Sequence, residues 1–309
     1  MEKQFKVDET NAKTRLDVFV ASNAEVSRSL ASTLITTEKV KVNGQLAKAN
    51  YKVKIDDEII VLETERPELE IKAEEMDIDI VYEDEDVIIV NKPSGIVVHP
   101  AAGSPSGTLV NGLMHLSKQL SSVNGEFRPG VVHRIDKNTS GLIMFAKNDK
   151  AHACLSEQLQ QKTTTRKYYA LVHGVIQEDK LIIDAPIGRD QNDRKKMTVT
   201  AKNSKEAVTN VKVLRRFEEY TLIECQLTTG RTHQIRVHMK FVGYPIVGDP
   251  EYGRKKSFDC DGQALHAKTL GFIHPTTDEY IEFDSKLPAS MLNVITQIEE
   301  QDEDAKANR

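Results

Sequence analysis

The sequence predicts an α+β protein in which a small helix-hairpin unit precedes a large mixed, mainly antiparallel sheet. Strand-like alternation of apolar and polar residues recurs in many short segments, and strands outnumber long helices, which disfavours a doubly wound βαβ arrangement. The predicted strands are Ile78–Tyr82, Val87–Val90, Gly141–Phe145, Tyr168–Val172, Val208–Val213 and Tyr220–Leu227. The predicted helices are Leu109–Leu120, His152–Gln161 and Thr232–Val242.

The first segment of the chain predicts two short helices and a hairpin. Residues 1–12 are polar, and we expect a loose arm there. The signals that follow are the helical spacing of Leu16, Phe19 and Val20, the N-cap Ser27, the strand Val40–Val42, the hairpin turn Asn43–Gly44 and the returning strand Ile59–Val61. A unit of this size is typical of an appended binding module.

Two acidic stretches set the predicted domain limits. Residues 63–86 hold twelve acidic residues against two basic ones, a local net charge of −10. We interpret the beginning of this stretch as a linker, so that residues 13–75 form the first domain with its linker and residues 76–297 form the second. Residues 298–309 are acidic without apolar periodicity, which predicts a disordered tail.

Composition excludes several classes of protein. A chain of 309 residues is long enough for about two domains. Its apolar runs are far shorter than the ~20 residues that span a bilayer, and its N-terminus has no apolar signal core, so we expect a cytoplasmic protein. Cys154, Cys225 and Cys260 form no C-x-x-C pair, which argues against a disulfide framework or a cysteine-based zinc site.

Charge is distributed unevenly, although the net charge is only −5. Residues 189–256 contain fifteen Lys and Arg against eight Asp and Glu, a local balance of +7. The basic residues form clusters at 194–196, 215–216 and 254–256. Such a region is suited to bind a polyanion, and the alternative is ordinary solvated surface.

The densest group of unusual residues is Gly130–Gly141. If residues 131–136 are extended, alternation puts Arg134 and Asp136 on one face, where they share the wall of a cleft. The Asn-Thr-Ser-Gly that follows is typical of a turn held by short polar side chains. Spacing alone does not distinguish a reactive Asp from a structural Arg–Asp ion pair.

Two further groups flank this one in the sequence. In residues 229–239, Thr232 is a candidate cap for a helix that would present Arg236 near its start. His233 and His238 are five residues apart and do not show the spacing of a zinc-binding helix, so we expect no metal site. Residues 91–100 read as a strand end, a turn and another short strand.

These groups, in this order, resemble the RluA-type pseudouridine synthases, and the preceding unit resembles the S4 RNA-binding domain. The catalytic resemblance is carried by His133–Gly141, Lys92–Pro100, Lys167–Gly174, Gly230–His238, Gly248–Gly253 and Leu265–Ala267. The S4 resemblance is carried by Arg15–Asp17, Ser27–Arg28, Val40–Gly44 and Asp57–Val61. Glu38 and Asp56 depart from it, because they replace glycines that are usual in the S4 family.

The resemblance implies an enzyme that isomerises uridine to pseudouridine in RNA, without a cofactor, and large-subunit ribosomal RNA is the expected substrate. We also expect a monomer. It implies the catalytic residues Asp136, Tyr168 and Arg236, with Arg236 paired to Asp136. It also implies RNA contacts by Arg134, His133, Thr139, Arg231, His233, Arg15, Arg28 and Lys41. Whether Asp136 attacks the base or the sugar stays open, and the alternative function is an RNA-binding assembly factor without catalysis. A hydrolase or metal enzyme is a more distant alternative.

Overall fold

The computed structural model describes residues 2–24, 26, 28–62, 71–101, 103–117, 120–121, 123, 128–193, 195–255 and 257–307. The chain divides into two units, Met1–Leu69 and Glu70–Arg309. Within the described ranges, no helix is both long and apolar enough to cross a membrane. The predicted α+β class is confirmed.

The first unit packs two helices against a four-stranded sheet in the order β1-β4-β2-β3. Its elements are β1 (Glu2–Lys6), α1 (Leu16–Asn23), α2 (Arg28–Thr36), β2 (Val40–Val42), β3 (Gln45–Leu46) and β4 (Glu58–Leu62). The expected loose arm at residues 1–12 is wrong, because β1 pairs antiparallel with β4 along its whole length. Polar side chains do not prevent this, since the ladder uses backbone groups and Val7 is buried after it.

Both departures from the S4 pattern occupy left-handed backbone. Glu38 has φ +63° and Asp56 has φ +68°. This region costs a residue with a side chain roughly 1–2 kcal/mol. The fold therefore keeps the glycine conformation at both positions without the glycine.

The second unit is built on a nine-stranded sheet in the order β5-β6-β7-β15-β8-β14-β13-β9, with β16 paired to β15. Its strands are β5 (Asp79–Glu83), β6 (Val87–Lys92), β7 (Ser140–Ala146), β8 (Thr165–His173), β9 (Lys180–Asp184), β13 (Val208–Arg216), β14 (Tyr220–Leu227), β15 (Leu265–Ile273) and β16 (Tyr280–Asp284). A separate small sheet contains β10 (Ile187–Arg189), β11 (Met197–Val199) and β12 (Ser204–Lys205). The sequence predicts six of these strands, namely β5 to β8, β13 and β14.

Four helices pack with these sheets: α3 (Leu109–Leu116), α4 (Asp149–Gln161), α5 (Gln234–Phe241) and α6 (Ala289–Ala307). Thr108 and Asn111 form a capping box that starts α3. The side chain of Asn148 accepts a hydrogen bond from the backbone of Ala151 and starts α4. The predicted cap of α5 is wrong: His233, at φ +57°, holds the N-cap position and makes no side-chain cap.

The pairing of β7 with β15 fixes the position of the segment that contains Asp136 relative to the sheet. These strands run parallel, with Ser140 opposite His266 and Gly141 opposite Ala267. A Cβ on Gly141 would lie 2.3 Å from the carbonyl oxygen of Ala267, so glycine permits the close approach. The turn before β7 is thereby fixed against the centre of the sheet.

The structure also changes both predicted limits of the second domain. The backbone oxygen of Lys72 accepts a hydrogen bond from Asn111, and Glu74 is bonded to α3 and to the loop before it. Residues 71–75 thus pack with the second unit instead of forming linker, whereas residues 63–70 lie outside the described part. The predicted disordered tail is wrong through Ala307, because Arg215 pairs with Glu299 and Asp302 accepts a hydrogen bond from the backbone of Glu218.

Candidate active site

A polar cleft of about 510 Å³ opens beside the segment that precedes β7. It lies within the range of ~300–1,000 Å³ typical of ligand pockets. Among its lining residues that the structure describes, five are Lys or Arg and one is acidic: Arg134, Lys162, Arg166, Arg231 and Arg236 against Asp136. The cleft is therefore suited to an anion.

Asp136 stands at the end of an extended loop and not in a strand. Val131 makes a single bridge to Phe145, and the following residues, which include Arg134 and Asp136, have no ladder partner among the described strands. The amide of Thr139 donates to the backbone oxygen of Asp136, which closes the turn. The side chain of Asp136 keeps a quarter of its surface exposed, so its carboxylate faces the cleft.

The side chain of Lys92 supports the turn that contains Asp136. Its fully buried ammonium donates three hydrogen bonds to backbone oxygens, those of Pro93, Ile96 and Lys137. Burial lowers the pKa of Lys92 to about 7, although the negative charge of Asp136 acts to raise it. One side chain thus joins the loop after β6 to the residue that follows Asp136.

Arg236 binds carboxylates on two sides. Its Nη1 donates to Asp136 at 3.0 Å, while Nε and Nη2 donate to Asp249 at 2.7 and 2.9 Å. Nη2 also reaches Glu251 at 3.3 Å. Burial opposes the charge of Arg236, but the hydrogen bonds and charges of these carboxylates raise its pKa, so Arg236 stays cationic. The implied pairing of Arg236 with Asp136 is present in the geometry.

Tyr168 lies on β8, is buried, and is one of the residues that line the cleft. Burial raises the pKa of its phenol, with Arg166 opposing and Asp136 reinforcing the rise, so the hydroxyl is protonated at neutral pH. This favours a packing role against a flat ligand over the role of a base.

Arg134 and His133 occupy different environments. Arg134 is exposed in the cleft, and its Nη2 donates to the hydroxyl of Thr232 at 3.0 Å. The ring of His133 accepts a hydrogen bond from the backbone of Met144. Burial, followed by the charge of Arg166, lowers the pKa of His133 to about 3, so this ring is neutral.

The remaining predicted RNA contacts of this unit all line the cleft. The hydroxyl of Thr139 is buried and accepts a hydrogen bond from Gln263 at 3.0 Å, which supports the turn. Arg231 donates to the backbone oxygen of Glu206. His233 is hydrogen bonded to the hydroxyl of Tyr252 at 2.8 Å, and its other ring nitrogen lies 3.9 Å from Asp136.

The predicted contacts of the first unit lie on two of its elements and before a third. Arg15 directly precedes α1 and donates two hydrogen bonds, of 2.9 and 3.0 Å, to the carboxylate of Asp17. Lys41 is exposed on β2. Arg28 begins α2, and its side chain lies outside the described part.

Some basic side chains of residues 189–256 are already paired within the protein, so fewer are available to bind a polyanion than the composition indicates. Arg215 pairs with Glu299, and Arg216 pairs with Asp179 while it donates to two backbone oxygens. Arg194 and Lys256 lie outside the described residues. In the part of the chain that the structure describes, no group of three His, Cys, Asp or Glu is placed to hold a metal ion.

Sequence reasoning missed three residues at this site: Asp249, Tyr252 and Arg166. Asp249 and Tyr252 belong to the motif Gly248–Gly253, but nothing in their spacing predicts their contacts with Arg236. Asp249 binds Arg236, and the ring centre of Tyr252 lies 4.9 Å from its guanidinium carbon. Arg166 had a usable signal. It precedes Tyr168 by two residues on a strand, which places both on one face.

Comparison with known proteins agrees with this geometry. A model of the RNA pseudouridylate synthase family matches residues 86–241, and a model of the S4 domain matches residues 14–59. A Bacillus subtilis protein named as an uncharacterized RNA pseudouridine synthase is 54% identical over 288 residues, which are 93% of this chain and 95% of the relative. The ribosomal large subunit pseudouridine synthase D of Neisseria meningitidis is 42% identical over 297 residues, 91% of this chain and 78% of the relative.

A solved structure shares the fold. Human RNA pseudouridylate synthase domain containing 1 superposes with a TM-score of 0.57 at 24% identity, over 76% of this chain and 98% of that chain. The resemblance predicted from the sequence is confirmed for both units. This chain belongs to the RNA pseudouridine synthase family and begins with an S4 domain.

Proposed function

We propose that this chain converts uridine to pseudouridine in large-subunit ribosomal RNA, in the cytoplasm, with Asp136 as the essential anion. The observation that carries the proposal is a single carboxylate in a cationic cleft, ion-paired to a buried arginine and next to a buried tyrosine. The substrate class is supported by the relatives named as ribosomal large subunit pseudouridine synthase D. The S4 domain supports binding of RNA.

The reaction needs little beyond this arrangement. The N1–C1′ bond of uridine breaks, the uracil rotates, C5 bonds to C1′, and the proton on C5 is replaced by one on N1. No electrons enter or leave, so a redox cofactor has no role. One positioned carboxylate suffices as nucleophile or stabiliser of a cation, in contrast to the two flanking carboxylates of glycosidases. In this proposal Arg236 orients the carboxylate of Asp136, and Tyr168 packs against the base.

The other predicted residues bind RNA in this proposal. Arg134 takes the space that the target base leaves in the stack, because a planar guanidinium can stack and contact phosphate. Arg231, His233, His133 and Thr139 shape the cleft around the extruded nucleotide. Arg15, Arg28 and Lys41 of the S4 domain add contacts to the RNA backbone.

Mapping of pseudouridines tests the proposal. Ribosomal RNA is compared between cells with the gene, cells without it and cells that carry only the Asp136→Asn variant. We expect one or more pseudouridines of the large-subunit RNA to disappear without the gene and not to return with the variant. Unchanged pseudouridines in this RNA would contradict the substrate. A variant that restores them would contradict the role of Asp136.

A further inference from the structure

Arg166 is a buried cation that has no partner among the described residues. It lies on β8, and only 9% of its surface is exposed. Its Nε is fully buried and makes no hydrogen bond. Among the residues that the structure describes, nothing accepts a hydrogen bond from this side chain or forms an ion pair with it. The guanidinium nevertheless lines the cleft of Asp136.

Such an arrangement is unfavourable unless a ligand completes it. The Nε of Arg166 is buried without a hydrogen bond. A buried polar group that lacks a partner destabilises a fold, which is why buried charged groups are almost always paired. Gly230 also leaves room for the guanidinium of Arg166. A Cβ on Gly230 would lie 3.0 Å from Nη1 of Arg166, so a larger residue there would press on the guanidinium.

The surrounding charges identify the ligand as an anion. The buried Arg236 already contacts Asp136, Asp249 and Glu251. Arg166 pairs with no carboxylate in the described part of the chain, and the cleft carries four further basic residues. A guanidinium offers a planar fork of donors that matches two oxygens of a phosphate group. A phosphodiester of RNA supplies this anion.

We propose that Arg166 binds the phosphodiester next to the target nucleotide and holds that nucleotide in the cleft. The position of the base against Tyr168 is taken from the proposed function, on which this inference rests. Arg166 and Tyr168 alternate with a residue between them on β8, so their side chains leave one face about 7 Å apart. The phosphate and the base of one nucleotide are separated by a distance of this order.

The test measures RNA binding as a function of salt. The probe is a synthetic RNA stem-loop with a uridine-rich loop, labelled with fluorescein. Its dissociation constant is measured by fluorescence anisotropy between about 50 and about 300 mM KCl. Arg166→Met removes the charge and keeps an unbranched side chain, whereas Arg166→Lys keeps the charge and loses the fork. Lys286→Met is the matched control, because Lys286 is exposed, does not line the cleft and carries the same charge.

We expect Arg166→Met to weaken binding roughly tenfold or more at low salt. The slope of log K against log salt should fall by about 0.7, the value for one phosphate of a single strand. Its melting temperature should equal or exceed that of the wild type, because a buried unpaired charge has been removed. Arg166→Lys should keep the slope, and Lys286→Met should change neither quantity.

Four results would overturn the proposal. An unchanged slope in Arg166→Met, with loss of turnover, would show that Arg166 contacts the base. A lower melting temperature in both Arg166 variants would show a structural role, and an equal fall of slope in Lys286→Met would show a net-charge effect. Wild-type protein that binds neither the stem-loop nor protein-free ribosomal RNA would also exclude a phosphate site.

The outcome is separable from that of the proposed function. Binding and its salt dependence need no turnover, so they report on Arg166 even in a protein that forms no pseudouridine. A wild type that binds RNA with an Arg166-dependent slope and modifies nothing would refute the proposed function alone.

Discussion

Asp249 holds Arg236 with both oxygens of its carboxylate, at 2.7 Å from Nε and 2.9 Å from Nη2, so that Nη1 points to Asp136. Asp249 is itself fixed by the backbone amides of Glu251 and Tyr252. Burial would raise its pKa, but the hydrogen bonds and charge of Arg236 lower it, so the carboxylate is ionised. Arg236 is thereby oriented before any RNA arrives.

We expect Asp249→Asn to lower stability and turnover together. One partner of a buried ion pair is lost, which lowers the free energy of unfolding by about 3–5 kcal/mol. Arg236 also loses the two hydrogen bonds to Asp249 that direct its Nη1 to Asp136. Thermal melting and single-turnover kinetics on one sample check this. A variant as stable as the wild type would show that Asp136 and Glu251 alone suffice to hold Arg236.

Asp136→Asn should separate shape from charge. The side chain of Asp136 is partly exposed, and Arg236 keeps Asp249, so we expect a near-native melting temperature. Turnover should fall by on the order of 10⁴-fold or more, because the essential anion is gone. The two quantities are compared with those of Asp249→Asn. Turnover within tenfold of the wild type in folded protein would remove Asp136 from the mechanism.

Truncation at two positions tests the domain limit. Removal of residues 1–69 should leave a folded second unit with weaker RNA binding. Removal of residues 1–75 also deletes the backbone oxygen that Asn111 binds and the Glu74 carboxylate that accepts from Gly107. We expect the shorter protein to melt at a lower temperature, as circular dichroism would show. Equal melting temperatures would place residues 70–75 in the linker after all.

Glu38→Gly should stabilise the first unit by about 1 kcal/mol, because glycine adopts φ +63° without strain. Asp56→Gly should do the same less strongly, since Asp56 also forms an exposed ion pair with Lys6. Urea unfolding of residues 1–69 measures both. Lys41→Gly, in the middle of β2, is the control and should be destabilising.

Acid should weaken the fold through His266. Burial, followed by the charge of Lys268, lowers the pKa of His266 from 6.5 to about 4. The unfolded chain then binds more protons between these values, so stability is full above about pH 6.5 and falls by roughly 3 kcal/mol as the pH drops to about 4. NMR titration of this ring, assigned through His266→Gln, checks the midpoint. Protonation near pH 6 in the folded protein would contradict it.

Local patterns predicted six of the strands of the second unit, the resemblance supplied most of the residues at the cleft, and long-range contacts explain the errors. Tyr220–Leu227 matches β14 because alternation and burial coincide there. β1 and the end of α6 were missed because their partners, β4 and Arg215, are distant in the sequence. Asp136 and Arg236 were identified, but their contact depends on Asp249, and no periodicity encodes that bond.

The parallel pairing of β7 and β15 also has a consequence for synthesis of the protein. When the turn of Asp136 leaves the ribosome, its neighbour β15, which begins at Leu265, has not yet been translated. At about 5–20 residues per second, the turn waits on the order of ten seconds for this strand. The nascent chain therefore has no assembled site until β15 has been made.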